Sequence, residues 1–182
     1  MQILIRAAFV ALMLCFSSLS YAQEFPKPQA EHEWLKQFVG EWETEALAPA
    51  APGQPEMKCQ GTIKSRMLGE FWVVNESKAE MPGVSVTAVQ TIGYDPEKKV
   101  YIGTWVDSMM NHLWKYEGSV DETGKILTLA AEGPNCMADG KLAKFRDSYE
   151  FKSKDEIAVS SQMQGEDGKW ITFMTGSAKR VK

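Results

Sequence analysis

Residues 144–151 read KFRDSYEF, and the alternation within this stretch decides the fold class. One face of the stretch carries Phe145, Tyr149 and Phe151, with Asp147 among them, while the other face is polar or charged throughout. Successive side chains of a β-strand point to opposite sides, so this pattern predicts a strand with one buried face. It also predicts that Asp147 lies among aromatic side chains inside the molecule.

Other stretches on either side repeat the pattern. Residues 112–120 (HLWKYEGSV) place His112, Trp114 and Tyr116 on one face, and residues 59–67 (CQGTIKSRM) place every Lys and Arg on the other. In the stretch 99–107 both faces are largely apolar, so the pattern does not decide which face points inward. The two candidate faces are Tyr101, Gly103, Trp105 and Asp107, and Val100, Ile102, Thr104 and Val106.

Turn residues separate these runs at regular intervals and predict reversals of the chain. Ten strands are predicted, at about 41–48, 57–67, 70–79, 84–94, 99–107, 112–121, 125–131, 141–152, 156–164 and 170–181. No long helix interrupts them, which excludes parallel crossovers. The fold class is therefore all-β, a single antiparallel, roughly ten-stranded up-and-down barrel whose closure removes the edge strands. A β-sandwich is the alternative.

A short helix is expected before the first strand. Residues 30–39 (AEHEWLKQFV) space Trp34, Leu35, Phe38 and Val39 along one helical face, and Gly40 ends the helix. On this pattern His32 is expected to be exposed. Residues 23–30 form a polar, proline-bearing, flexible lead-in, which leaves 31–182 as the barrel domain.

The first 22 residues have the pattern of a secretory signal peptide. Arg6 precedes a short apolar run at 7–16, and the small residues Ser20 and Ala22 have the spacing of a cleavage site after Ala22. The apolar run is shorter than the roughly 20 residues that a membrane span needs. Leu14 before Cys15 argues against a lipoprotein. We therefore expect a secreted or periplasmic protein that is not stably inserted in a membrane.

The charge distribution gives no indication of a nucleic-acid partner, and the cysteine count allows at most one disulfide after cleavage. The chain has a formal net charge of −4, with acidic and basic residues interspersed, so no basic patch predicts a nucleic-acid partner. After cleavage two cysteines remain, Cys59 and Cys136, which could form one disulfide in an oxidising compartment or stay apart as thiols.

The ordered segments Phe38-Val39-Gly40-Glu41-Trp42, Arg66-Met67-Leu68-Gly69, Ile92-Gly93-Tyr94-Asp95 and 101–107 (YIGTWVD) carry a family resemblance. Gly40 and Trp42 resemble the opening of calycin barrels such as lipocalins, fatty-acid-binding proteins and nitrobindin-like proteins. More closely, the chain resembles the bacterial domain-of-unknown-function family 1579. The resemblance implies a calycin-like barrel in which Lys179 or Arg180 packs across Trp42, and it implies no activity. Nitrobindin-like members hold haem through a late-strand His, and this sequence has no His after His112.

A barrel of about ten strands leaves room for an internal cavity, and apolar cavities with a few placed polar groups bind small ligands. The candidate ligand-binding residues share the predicted interior or its aromatic walls: Trp72, Asn75, Gln90, Trp105, His112, Trp114, Tyr116, Phe145, Asp147 and Tyr149. The alternative is a packed interior in which the same polar groups bond to the backbone.

No catalytic motif stands out. The sequence has no Gly-x-Ser-x-Gly turn and no phosphate-binding glycine loop. Met109, Met110 and His112 offer copper-type ligands, but methionines more often fill gaps in a core. Asp107 and Asp147 could form an acid–base pair only if both line one cavity.

Three hypotheses follow from these observations. In the favoured one, the barrel holds a small hydrophobic or amphipathic molecule of unknown identity, and no cofactor is assigned. The others are an enzyme that uses the same cavity and an interaction protein with a filled barrel.

Overall fold

The computed structural model describes residues 25–48, 56–81, 83–135 and 140–182. The predicted leader at 1–22 and Cys136 lie outside these residues, so cleavage after Ala22 and pairing of Cys136 with Cys59 stay predictions. Residues 25–29 have no regular secondary structure. No helix among the described residues is both long enough and apolar enough to cross a membrane.

The predicted order of one short helix and ten strands is confirmed. Helix α1 spans Ala30–Leu35 and continues as a 3-10 turn at Lys36–Phe38. The strands are β1 Gly40–Ala48, β2 Met57–Leu68, β3 Trp72–Met81, β4 Val84–Asp95, β5 Val100–Asp107, β6 Trp114–Val120, β7 Ile126–Pro134, β8 Leu142–Ser153, β9 Glu156–Gln164 and β10 Trp170–Arg180.

The strands form a closed up-and-down barrel. Each strand pairs antiparallel with its neighbours in sequence, and β1 closes the sheet by pairing with β10. Trp42 lies opposite both Ile63 on β2 and Arg180 on β10. Because the sheet has no free edge, the sandwich alternative is excluded.

The inward faces follow the alternation that the sequence predicts. On β2 the interior set includes half-buried Cys59 and Ile63 and buried Ser65. The face of β5 that the sequence left open is now resolved, because Tyr101 is buried whereas Val106 is exposed. Trp105 and Asp107 therefore lie on the interior side of β5 with Tyr101.

Four interior glycines allow neighbouring strands to coil closely enough to close the barrel. A Cβ atom at any of them would overlap the backbone of the adjacent strand; they are Gly61, Gly103, Gly118 and Gly176. Glycines at such positions let a sheet bend sharply without a side chain in the way.

Helix α1 and the 3-10 turn plug one end of the barrel, which we call the closed end. Leu35 and Phe38 are buried there, and Phe38 packs edge-on against Phe151 with ring centroids 5.0 Å apart. The Trp42 indole N–H donates to the Phe38 carbonyl at 2.7 Å. The other end, which we call the mouth, is formed by the end of β1 and the start of β2, and by the corresponding ends of the later strand pairs.

Arg180 packs across Trp42 at the closed end, as the resemblance implied for Lys179 or Arg180. Its guanidinium carbon lies 4.1 Å from the Trp42 ring centroid, and its N–H groups donate to the carbonyls of Gln37, Val39 and Lys154. A Cβ at Gly40 would overlap the guanidinium group. Gly40 thus begins β1 and leaves room for Arg180, in addition to ending the helical segment.

Two details of the helix prediction are wrong. His32 is buried, with only 3% of its surface exposed, because its Nδ1 accepts the Gln29 backbone N–H at 2.9 Å and its ring packs edge-on against Phe71. Val39 is exposed, because the chain has left the helix and turned into β1 at that point.

Candidate functional site

A chain of side-chain hydrogen bonds crosses the barrel interior. The Asn75 amide N–H donates to Gln90 Oε1 at 2.9 Å, and Gln90 Nε2 donates to the Tyr149 hydroxyl at 2.8 Å. Asn75 and Gln90 are 7% and 2% exposed. Asn75 Oδ1 is the one buried side-chain polar atom of the described residues that has no hydrogen-bond partner. Buried polar groups almost always have a hydrogen-bond partner, so this oxygen marks a position where a further hydrogen-bond donor could bind.

These side chains line an interior cavity of about 60 Å³. Its walls are otherwise apolar or small, and they comprise Phe38, Trp42, Ile63, Ser65, Ser77, Trp105, Ile157, Val159 and Ala178. Ligand pockets usually measure about 300–1,000 Å³. The cavity therefore fits only one end of a typical small ligand, and that end must be able to make polar contacts.

A second polar cluster lies beside the first, around Asp147. Tyr116 donates its hydroxyl proton to Asp147 Oδ2 and Ser161 donates to Oδ1, both at 2.6 Å. Burial raises the pKa of the Asp147 carboxyl group, and these two hydrogen bonds oppose the shift. Burial, with the neighbouring Asp147 charge, also raises the pKa values of Tyr116 and Tyr149.

Asp107 holds one wall of the cavity in place. Its Oδ2 accepts the Trp105 indole N–H at 3.0 Å, and its Oδ1 accepts the backbone N–H of Met109 at 2.7 Å and of Met110 at 3.2 Å. The carboxylate therefore fixes both the Trp105 ring and the loop that leads to β6. Asp107 and Asp147 accept their hydrogen bonds from different groups, and no hydrogen bond between these two carboxyl groups is observed.

Aromatic side chains cluster at the mouth. Trp114 packs edge-on against Phe145 at 5.0 Å between centroids and against His112 at 4.9 Å. Phe145 in turn contacts Phe173, which lies at an irregularity in the pairing of β9 and β10. A Cβ at Gly133 would overlap the Trp114 ring, so that glycine makes room for the indole.

The rim of the mouth is unusually apolar. Among the described residues, most exposed large hydrophobic side chains lie at strand ends or loops on this rim, namely Leu47, Met57, Val84, Met109, Leu113, Leu142, Ile171 and Phe173. Scattered exposed apolar residues are ordinary, but a concentration at one end of a barrel is typical of a binding surface.

A second concavity lies outside the barrel, between α1 and the turns of the closed end. It measures about 350 Å³ and is lined by residues that include Trp34, Tyr94 and Tyr101. Several of its polar groups already have partners, since Trp34 Nε1 donates to the Gly124 carbonyl and Tyr101 donates to the Glu31 carbonyl. This groove is open and has no unpartnered buried atom, so the interior is the stronger candidate site.

Nine of the ten predicted site residues form three groups in or beside the barrel interior, and Trp72 lies outside it. Asn75, Gln90, Trp105 and Tyr149 line the cavity, Tyr116 and Asp147 are bonded beside it, and His112, Trp114 and Phe145 lie together at the mouth. Trp72 pairs with Gly93, and its ring covers the position where a Gly93 Cβ would be. Because Val73 and Ile92 on the alternate positions are fully buried in the core, Trp72 lies on the outer face.

Sequence reasoning missed several residues of the site. Ser161 bonds Asp147, and Ile157 and Val159 line the cavity. Their alternation along β9 could have identified this face. Phe38 and Trp42 also line the cavity from the closed end. Trp42 is on β1, whereas the helical segment brings Phe38 there, which no strand pattern could have shown. Among the described residues, no three His, Cys, Asp or Glu side chains converge as a metal site requires.

Comparisons with solved structures agree with this architecture. Rv2717c from M. tuberculosis superposes with a TM-score of 0.61 at 12% identity, covering 86% of this chain and 100% of that one. The S-type phycobiliprotein lyase CPES from Guillardia theta superposes with a TM-score of 0.55 at 13% identity, covering 85% and 99%. At these identities the similarity shows the fold alone. No functionally curated protein matches the sequence significantly.

The family resemblance seen in the ordered sequence segments is confirmed over the whole barrel. A family profile matches residues 27–180, which include α1 and all ten strands. The chain therefore belongs to the family described as Protein of unknown function (DUF1579).

Proposed function

We propose that the chain is an exported barrel that binds a small amphipathic molecule, with the ligand's polar end in the interior cavity and its apolar body towards the mouth. The observation that carries this proposal is the unpartnered Asn75 Oδ1 in a cavity whose other walls are mostly apolar. A ligand hydroxyl could donate to this oxygen and accept the hydroxyl proton of Tyr149. Both groups would then be satisfied without a rearrangement of the hydrogen bonds to Gln90.

The size of the cavity sets the mode of binding. About 60 Å³ accommodates a polar head but not a drug-sized molecule. The rest of the ligand would lie among Trp114, Phe145 and Phe173, whose rings would rotate to admit it. The apolar rim supports this direction of entry, because it presents a hydrophobic surface at that end of the barrel.

Binding is tested on the mature protein, residues 23–182, with 3-phenylpropan-1-ol as the probe and n-propylbenzene as the matched compound without a hydroxyl. We expect a saturable change in tryptophan emission with the alcohol. Replacing Asn75 by Val should weaken binding about tenfold, because one hydrogen bond to a buried group is lost.

Two tryptophan variants serve as a matched pair. Trp105 lines the cavity and Trp72 lies on the outer face, so Trp105→Phe should reduce the emission change while Trp72→Phe preserves it. The reverse result, or no saturable change with either compound, would contradict interior binding.

Export is proposed from the leader pattern at 1–22, which the family match at 27–180 does not include. Expression of the full chain in a bacterial host should give a periplasmic or secreted protein. Its mass, determined by mass spectrometry, should equal that of residues 23–182. A cytoplasmic protein with the mass of the uncleaved chain would contradict the proposed export.

A further inference from the structure

The charges inside the barrel are of one sign. Among the described strand residues, the acidic side chains on the interior face are Asp107 and Asp147. Every strand Lys lies on the outer face, as do Arg66 and Arg146. Arg180 is the remaining strand arginine; it packs on Trp42 at the closed end and does not line the cavity. Within the described strands, the cavity therefore has no positive side chain with which to receive an anion.

Asp147 is placed to meet a ligand. It is on the same face of β8 as Tyr149, about 7 Å along the strand, and Tyr149 lines the cavity. Asp147 is half-buried as a residue, and its side chain lies on the interior side of the sheet beside the cavity. Each carboxylate oxygen accepts one hydrogen bond, from Tyr116 or Ser161, which leaves acceptor positions on both oxygens.

We infer that the barrel selects ligands whose polar end is a cationic amine, with neutral hydroxyl compounds next and carboxylates last. This inference rests on the proposed function and specifies its ligand class. The ammonium group would donate to Asp147 and to Asn75 Oδ1, both of which have acceptor positions that the described residues leave unused. A carboxylate in the same place would face Asp147 and Asp107 with no basic partner, so it would lose its hydration without compensation.

Three probes with one apolar body test the inference: 3-phenylpropylamine, 3-phenylpropan-1-ol and 3-phenylpropionate. At neutral pH the amine is a cation and the acid an anion. We expect the amine to bind at least about tenfold more tightly than the carboxylate, which corresponds to one charge-assisted hydrogen bond. This comparison needs no variant, so it stands even if a substitution at Asp147 impairs folding.

A variant pair locates the effect. Asp147→Asn removes the interior charge, and Glu150→Gln removes the same charge from the outer face of the same strand, where Glu150 pairs with Lys152 at 2.6 Å. The preference for the amine should collapse in Asp147→Asn and persist in Glu150→Gln. Equal loss in both variants, or persistence in Asp147→Asn, would overturn the assignment to Asp147.

The pH dependence provides an independent readout. Burial raises the pKa of Asp147, and the titratable groups facing it are Tyr116 and Tyr149, with Asp107 near the mouth. Because a cation favours the ionised carboxylate, affinity for the amine should fall as pH falls through that pKa, while affinity for the alcohol stays flat. Tight binding of 3-phenylpropionate would overturn the charge inference and leave the proposed function intact, whereas failure of all three probes would count against the proposed function itself.

Discussion

The two ends of the barrel differ in how completely their polar and apolar groups are satisfied. At the closed end Trp42 is 2% exposed, its N–H is bonded, and Arg180 covers its ring while donating to three carbonyls. At the mouth apolar side chains are exposed, with Leu142 at 69%. The aromatic rings there pack on one another and on His112, and the Trp114 indole N–H donates to the Met110 sulfur. The closed end is therefore the more completely packed of the two, and the mouth is the end by which the proposed ligand would enter.

The largest expected effect comes from the closed end. Trp42→Ala should lower the free energy of unfolding by about 3–5 kcal/mol, because it removes a fully buried aromatic side chain and leaves a cavity. Leu142→Ser at the mouth is the control and should change it by no more than about 0.5 kcal/mol. Chemical denaturation measures both; similar losses in the two variants would remove the distinction between the ends.

Arg180→Ala should have the next largest effect, a loss of about 2–3 kcal/mol, since charged hydrogen bonds and a cation–π contact disappear together. Arg180→Lys keeps the charge but cannot reproduce the planar set of donors, so it should recover only part of the loss. Full recovery by Lys would show that charge alone, and not the fork of hydrogen bonds, holds the closed end.

The smallest effect concerns Asp147, between the two ends. Burial raises its pKa in the folded state, so the folded protein holds this proton after the unfolded chain has released it. The stability that this group contributes is therefore greatest at low pH. It declines as the pH rises from the pKa in the unfolded chain, about 3.9, to the higher pKa in the folded protein. Asp147→Asn lacks this titration, so its stability minus that of the wild type should increase across the same window in denaturation measured at several pH values. A difference that stays constant with pH would show that the pKa of Asp147 is not raised.

Much of the fold was predictable because it depends on local alternation. The strict pattern from Cys59 to Met67 and the aromatic face of 144–151 each identified the inward side of a strand correctly. Stretch 99–107 failed this test because both of its faces are apolar, and only the closure of the barrel placed Tyr101 inside and Val106 outside. His32 failed for another reason: its helix covers the barrel end, so a residue on a short polar helix is buried.

The candidate site was predictable in its membership more than in its arrangement. Asn75, Gln90 and Asp147 could be assigned to the interior from their strands, but their partners could not, since Gln90 and Tyr149 are 59 residues apart. Trp72 shows the limit most clearly. Its size and its place in β3 favoured an interior wall, yet the pairing with Gly93 puts its ring on the outer surface.

The sequence by itself determined the ten strands, the short helix and the inward alternation on most strands, because each follows from the spacing of apolar residues and turn residues along the chain. It also carried the family, through the resemblance of four ordered segments. Only the tertiary structure decided the volume of the cavity, the absence of a partner for Asn75 Oδ1 and the single sign of the interior charge among the described residues. These properties arise where side chains from distant strands converge, and their separations are set by barrel closure and strand register, which no local pattern encodes.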